Sequence, residues 1–243
     1  MSLHSWASVI PMANEEADFF PFINALQKAL NEIPNGKIFL VVDNVSKDNT
    51  LMLCQTLSIN DSRFNCVWAP ENKNVVDAYI RGYKEALLSD AEFIIEMDAG
   101  LSHDPASLKD FIKLLSEKYL CVFGSRFITG GSMGDSPANR RSLSKTGTVL
   151  SNILLGTKLH DMTSGYQGFH RSMVSLFTAY PLHSKAHFYQ TEIRYLLRNY
   201  KSIEIPIHYK APSPRVSKKA IMNSIKTLLY YFWRRITLRP ISL

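Results

Sequence analysis

Four apolar stretches, at residues 7–11, 37–42, 64–69 and 92–97, recur through the first part of the chain, and the segments between them carry apolar residues at helical spacing. In residues 15–31 these are Phe19, Phe22, Ile23, Leu26 and Leu30. A second set, Leu51, Cys54 and Leu57, follows Asp48, which is placed to cap that helix, and a third helix is predicted over 75–88. The four stretches are apolar throughout rather than alternating, which predicts strands buried on both faces. Their alternation with helices predicts an α/β fold, a mostly parallel sheet flanked by helices. Such sheets bind ligands beyond the carboxyl ends of their strands. Polar residues stand there: Pro11, Asn14 and Glu15 after the first stretch, Asp43 and Asn44 after the second, and Asp98 after the fourth.

Beyond Asp98 the pattern is less regular. It predicts a helix over 108–115, a strand over 119–123, a loop rich in Gly, Ser and Arg over 124–141, and a helix over 143–155. A turn at 161–165 and a helix over 188–200 follow, and then Ile203, Ile205, Ile207 and Tyr209 alternate as in a half-buried strand. Residues 221–233 put Ile221, Ile225, Leu228, Leu229 and Phe232 on one helical face, with Tyr230, Tyr231, Trp233, Arg234 and Arg235 crowding the end. Such a helix suits a membrane interface and equally suits docking on the core.

With 243 residues, 46% of them hydrophobic, and no Gly/Ser/Pro-rich linker, the chain is read as one domain, residues 1–215, followed by an amphipathic helix within 216–243. The net charge of +7 favours an anionic partner, but no nucleic-acid-binding motif accompanies it, so nucleic acid is not expected. Cys54, Cys66 and Cys121 have neither zinc nor disulfide-framework spacing and are read as buried thiols in a reducing compartment. Residues 1–8 show no leader pattern, and no stretch approaches the roughly 20 apolar residues of a membrane span. A cytoplasmic location, at the membrane face, is expected.

A carboxylate such as Asp98 at a strand end can hold a hard divalent cation, which in turn holds a diphosphate. Arg126, Arg140 and Arg141 lie in and beside the loop after the fifth strand, and guanidinium groups bind phosphate through paired hydrogen bonds. Each residue alone also has a plain structural reading: Asn14 or Asp48 as a helix cap, Asp43 as a strand end, the arginines as solvated surface.

Taken together and in order, the segments resemble glycosyltransferase family 2, and within it the dolichyl- and polyprenyl-phosphate mannosyltransferases and glucosyltransferases. The resemblance runs from about residue 7 to residue 220 and rests on Val9 to Glu15, Val42 to Ser46, Met97 to His103, Gly124-Ser125-Arg126 with Gly130-Gly131, Asp161 to Gly165, and Ser217-Lys218. It implies a GT-A fold, a nucleotide-sugar donor (GDP-mannose favoured over UDP-glucose), Mg²⁺ or Mn²⁺, a polyprenyl phosphate acceptor, inversion at the anomeric carbon and a peripheral membrane contact. It assigns Pro11, Asn14, Glu15, Asp43, Asn44 and Asp98 to the donor, and Arg126, Arg140, Ser144 and Lys218 to the acceptor phosphate. Asp98 falls to the metal and Asp161 to the reacting centre; beside the resemblance, Ser102 is read as a further oxygen for the metal, and Glu192, on a helix where it could equally be an exposed polar residue, as a catalytic-side candidate.

Two departures stand out. The family's paired acids are Asp43-Asn44 here, and its Asp-x-Asp is Asp98-Ala99-Gly100, which lacks one carboxylate. Two other readings therefore accompany the lipid-phosphate transferase: transfer to the hydroxyl of a glycan or lipid-linked saccharide, with Asp161 or Glu192 as base, and a nucleotide-sugar-binding protein without turnover.

Overall fold

A computed structural model of the protein describes residues 4–210 and 217–243. Seven strands form one sheet in the order β3-β2-β1-β4-β6-β5-β7. They are β1 (Trp6–Met12), β2 (Gly36–Val42), β3 (Phe64–Trp68), β4 (Phe93–Glu96), β5 (Cys121–Ser125), β6 (Gln167–His170) and β7 (Ser202–Pro206). Strands β1 to β4 pair in parallel, as do β5 and β7, while β6 runs antiparallel between β4 and β5. The sheet is therefore mostly parallel, as the unbroken apolar runs predict.

Those runs arise because successive side chains enter different cores. Val9, Phe39, Val41 and Ile94 join one with Tyr83, Phe177 and Ile193; Ile10, Leu40, Val42 and Ile95 join another with Phe22, Leu26 and Phe111. The first core is covered by α3 (Val75–Leu88), α6 (Arg171–Ala179), α7 (Tyr189–Leu196) and α8 (Lys218–Ile236). The second is covered by α1 (Phe19–Glu32), α2 (Thr50–Asn60) and α4 (Leu108–Ser116). Gly82 sets the closest approach of α3 to the sheet, since a Cβ there would lie 2.2 Å from Val9 Cγ1 and 2.9 Å from Val41 Cγ2. Gly82→Ala is expected to overpack this contact and lower stability by about 1–3 kcal/mol, read as a lower urea midpoint at unchanged slope.

Several boundaries differ from the sequence reading, each for a local reason. Helix α1 starts at Phe19 rather than at residue 15, because the amides of Asn14, Glu15 and Glu16 donate to Ser46 Oγ, Thr50 Oγ1 and Asp48 Oδ2. Asn49 holds the cap position of α2, yet Asp48 Oδ1 still accepts the Thr50 amide. Strand β5 extends to Ser125, so Arg126 follows it directly instead of two residues later. Helix α5 (Ala138–Leu155) begins five residues early, directly after Pro137 in the cap position, which puts Arg140 and Arg141 on a helix and not in a loop. Strand β6 and helix α6 lie in a stretch the sequence reading left without elements, and α7 is shorter than the predicted 188–200. Cys66 is only partly buried, unlike Cys54 and Cys121.

The predicted apolar face of the last helix is divided. Leu228 is buried and Tyr231 is fully buried in the core, whereas Ile221, Ile225 and Leu229 face outward with Met222 and Trp233. Helix α8 docks through one face and offers another apolar face to the surroundings. The predicted boundary at 215/216 lies outside the described residues.

Candidate active site

The carboxyl ends of β1 and β2 are laced together by short polar side chains. Asn14, at φ +59°, donates through Nδ2 to the Val45 carbonyl and accepts the Lys47 amide at Oδ1. Asp43 is buried and accepts the Val45 amide; Asn44 is exposed and donates to the Pro70 carbonyl. Pro11 belongs to β1 itself.

Asp98 lies just beyond β4, between these turns and the second half of the chain. Its Oδ1 accepts the Tyr79 hydroxyl at 2.6 Å, and its amide donates to His103 Nδ1 at 3.1 Å. An Nδ1 that accepts carries no proton, and burial lowers the His103 pKa, so the imidazole is neutral and its 3.8 Å approach to Asp98 Oδ2 is not an ion pair. Burial disfavours ionisation of Asp98, but His103, the Tyr79 hydroxyl, His187 and Arg126 together outweigh it and hold the carboxyl below the usual range.

Gly100 takes a left-handed conformation, φ +71°, and a Cβ there would lie 3.2 Å from Glu15 Oε2. The Glu15 carboxylate therefore sits beside the place where the missing acid of Asp-x-Asp would stand. Burial, and then repulsion from Asp18, Asp98 and Asp48, push its pKa from 4.5 to about 7. Among the described residues no cluster of three or more His, Cys, Asp or Glu is arranged as a metal site. Asp98 with Glu15 is nonetheless a fitting donor set for Mg²⁺, which is often bound through one or two carboxylates with substrate phosphates completing the shell. Ser102 is partly buried, and its recorded bond is through its carbonyl, which accepts the Lys210 amide.

The raised Glu15 pKa has a consequence for stability. Between pH 4.5 and about 7 the folded chain holds a proton at Glu15 that the unfolded chain has released, so stability falls as pH rises through that window. Glu15→Gln is expected to raise the thermal midpoint at about pH 8, where wild type carries the repelled charge, and to leave it unchanged at about pH 4, with chelator present throughout.

The acceptor-side residues converge on the turn at 161–165. Arg126 and Asp161 form a buried pair: Nε donates to Oδ2 at 2.7 Å and Nη2 to Oδ1 at 2.9 Å, with Thr163 Oγ1 also accepting from Nη2. Burial raises the Asp161 pKa, but Arg126 outweighs it and the carboxyl stays low. Arg140 lies within the electrostatic reach of Asp98, Asp161, Arg126 and Tyr209. Its Nε is buried and bonded to none of the described residues, and the same holds for Ser144 Oγ, one turn further along α5. Gly165 closes the site, since a Cβ there would stand 3.3 Å from both Asp98 oxygens and 2.5 Å from Gln190 Nε2.

Two expected site residues are not brought into this cluster. Glu192 is fully buried, and its oxygens accept the His183 and Ser184 amides and the Tyr231 hydroxyl, so it is engaged by the fold away from the Arg126–Asp161 pair. Lys218 is exposed at the start of α8, and among the described residues no hydrogen bond ties it to the cluster.

The sequence reading also missed several residues. Tyr79 and His103 hold Asp98; Arg194 donates to the carbonyls of Asp161 and Ser164; Glu204 accepts the Asp161 amide. Glu96, fully buried in β4, accepts from Tyr83, Tyr189 and Gln190, and burial raises its pKa to about 7. A charged residue inside an apolar strand, as in Phe93-Ile94-Ile95-Glu96, was the available signal for that last one.

A mostly parallel sheet with acidic turns at one edge thus stands beside a second half that carries Arg126, Arg140 and Asp161. Residues 8–177 match the Glycosyl transferase family 2 pattern, and the chain belongs to that family. It is 28% identical over 218 residues to the polyprenol monophosphomannose synthase of Mycolicibacterium smegmatis, spanning 88% of this chain and 81% of that one. It is 27% identical over 204 residues to the undecaprenyl-phosphate mannosyltransferase of Micrococcus luteus, spanning 83% and 82%. Among solved structures, glucosyl-3-phosphoglycerate synthase of Mycobacterium tuberculosis with Mn²⁺, UDP and phosphoglyceric acid superposes with a TM-score of 0.65 at 15% identity, over 93% of this chain and 78% of that one. A further structure of that synthase holds Mg²⁺ and UDP.

Proposed function

We propose that the protein transfers a hexose, mannose in the favoured reading, from a nucleoside diphosphate sugar to a polyprenyl phosphate with inversion at the anomeric carbon. The two relatives named above carry such acceptors in their names. The observation that carries the choice of acceptor is the state of the two candidate bases. A sugar hydroxyl needs a carboxylate to take its proton, but Asp161 is engaged by Arg126 and Glu192 by two amides and a hydroxyl. A phosphate oxygen is already anionic at neutral pH and needs orientation rather than deprotonation. The unpartnered Arg140 Nε and Ser144 Oγ supply donors for it.

In this reading the turns after β1 and β2 hold the nucleoside, and Asp98 and Glu15 are the residues that would hold Mg²⁺ or Mn²⁺. An ion bound there would supply charge neutralisation for the leaving nucleoside diphosphate. The outward apolar face of α8, with exposed Lys218, Lys219, Lys226 and Arg235 alongside it, is the proposed contact with an anionic membrane surface. No helix among the described residues is long and apolar enough to cross a membrane.

The test is release of nucleoside diphosphate from a panel of nucleotide sugars, with and without a short polyprenyl phosphate, and with Mg²⁺, Mn²⁺ or chelator. Release that requires the lipid phosphate supports the reading and names the donor. Release with a saccharide acceptor alone favours the hydroxyl route, and binding without release under any condition favours a non-catalytic role.

A further inference from the structure

Helix α7 is buried along its whole length, yet Gln190, Thr191, Glu192 and Arg194, four of its eight residues, are strongly polar. Buried polar groups are retained where each has a partner, and the partners here fall in two directions. Inward, Thr191 Oγ1 donates to the Met162 carbonyl at 2.6 Å, Arg194 donates to the carbonyls of Asp161 and Ser164, and Gln190 Nε2 packs on Gly165 and donates to Glu96. Outward, Glu192 Oε1 accepts the Tyr231 hydroxyl of α8 at 2.7 Å, while its two oxygens hold the amides of His183 and Ser184. Ser184 Oγ in turn donates to Asn223 Oδ1, also on α8, at 2.8 Å. Thr191 and Glu192 are adjacent on a short rigid helix, so a shift of one moves the other.

The same α8 reaches α5. Arg235 Nη1 donates to the carbonyls of Ile153 and Leu154 at the end of α5, where Gly156, at φ +70°, leaves room for the guanidinium. Helix α8 thus touches both supports of the acceptor side: α5, which carries Arg140 and Ser144, and α7, which grips the turn that fixes Arg126. Thr148 of α5 accepts the Met162 amide and completes the loop of contacts.

We propose that Glu192 is a positioning residue which transmits the docking of α8 to the turn at 161–165, so that α8 sets the geometry of the acceptor site as well as contacting a surface. This rests on the lipid-phosphate reading for its kinetic consequence, but not for its structural one. With Tyr231 unable to donate, α8 loosens from α7, the turn at 161–165 gains freedom, and acceptor use suffers while the donor half, built on β1, β2 and β4, is untouched.

The test uses the full chain with Tyr231→Phe, which removes one hydroxyl and keeps the ring in the core, alongside Thr191→Val and the double variant. The expected result has two parts. Amide hydrogen exchange at Asp161, Met162 and Thr163 accelerates by about tenfold or more in Tyr231→Phe while the amides of β1 and β4 keep their wild-type rates. The kcat/KM for a short polyprenyl phosphate falls about ten- to hundredfold, with the Kd for the nucleoside diphosphate unchanged, and the double variant is no worse than the poorer single one. Unchanged exchange at 161–163 overturns the proposal, as do fully additive losses or losses shared equally by donor binding and acceptor use, which mark a general loss of stability. If the wild type itself transfers nothing to polyprenyl phosphate, the reading of the acceptor fails, and the exchange measurement alone decides the role of Glu192.

Discussion

Arg140→Ala is expected to lower kcat/KM with a polyprenyl phosphate acceptor by about 10²–10³-fold and to leave the fold intact. The guanidinium carries a buried Nε that none of the described residues satisfies, so its removal breaks no recorded bond of that atom and relieves a desolvated charge. What it takes away is an unpartnered buried donor within electrostatic reach of Asp98 and the Asp161–Arg126 pair. The measurement is a steady-state comparison with the acceptor varied at saturating donor, together with a melting curve. A variant with wild-type kinetics would remove the phosphate-acceptor reading and reopen transfer to a hydroxyl. Arg126 cannot serve the same test, because its alanine variant would strand Asp161 inside the protein.

Asp161→Asn is expected to have the largest effect on stability, a loss of about 3–5 kcal/mol, along with a collapse of transfer activity. Both side chains of the pair are almost wholly excluded from solvent, at 2% and 0% exposure, so an amide at 161 leaves Arg126 as an uncompensated buried charge. The pH dependence should follow. With its pKa held below the usual range, Asp161 contributes stability above the ordinary carboxylate pKa, and that contribution is lost as pH falls through its lowered value. Denaturant titrations of both proteins from neutral pH into acid should therefore converge. A constant gap across the whole range would show that the Arg126 pair is not its source.

Much of the donor half was legible in the sequence. Apolar runs such as 37–42 and 92–97 identify doubly covered strands, and an acid directly after such a run must lie at the carboxyl edge; Asp43 and Asp98 are both there. The acceptor half was legible mainly through resemblance. Arg126 and Asp161 pair and Arg140 lies within electrostatic reach of both, whereas Glu192, assigned to the reacting centre, is held by the His183 and Ser184 amides and the Tyr231 hydroxyl, partners that only packing supplies. Strand β6, only four residues long and antiparallel, has too few residues to show a period.

The sequence by itself determined the alternation of strand and helix, the mostly parallel sheet and the set of residues at its carboxyl edge, because hydrophobic periodicity and strand-end chemistry are local properties. Only the tertiary structure decided how those residues are used. Arg126 meets Asp161 across 35 positions, Glu192 meets Tyr231 across 39, and the Glu15 carboxylate lies against Gly100. Whether a carboxylate is a base, a ligand or a strut depends on the partner that burial imposes on it. That partner is set by packing between distant segments, which no local pattern records.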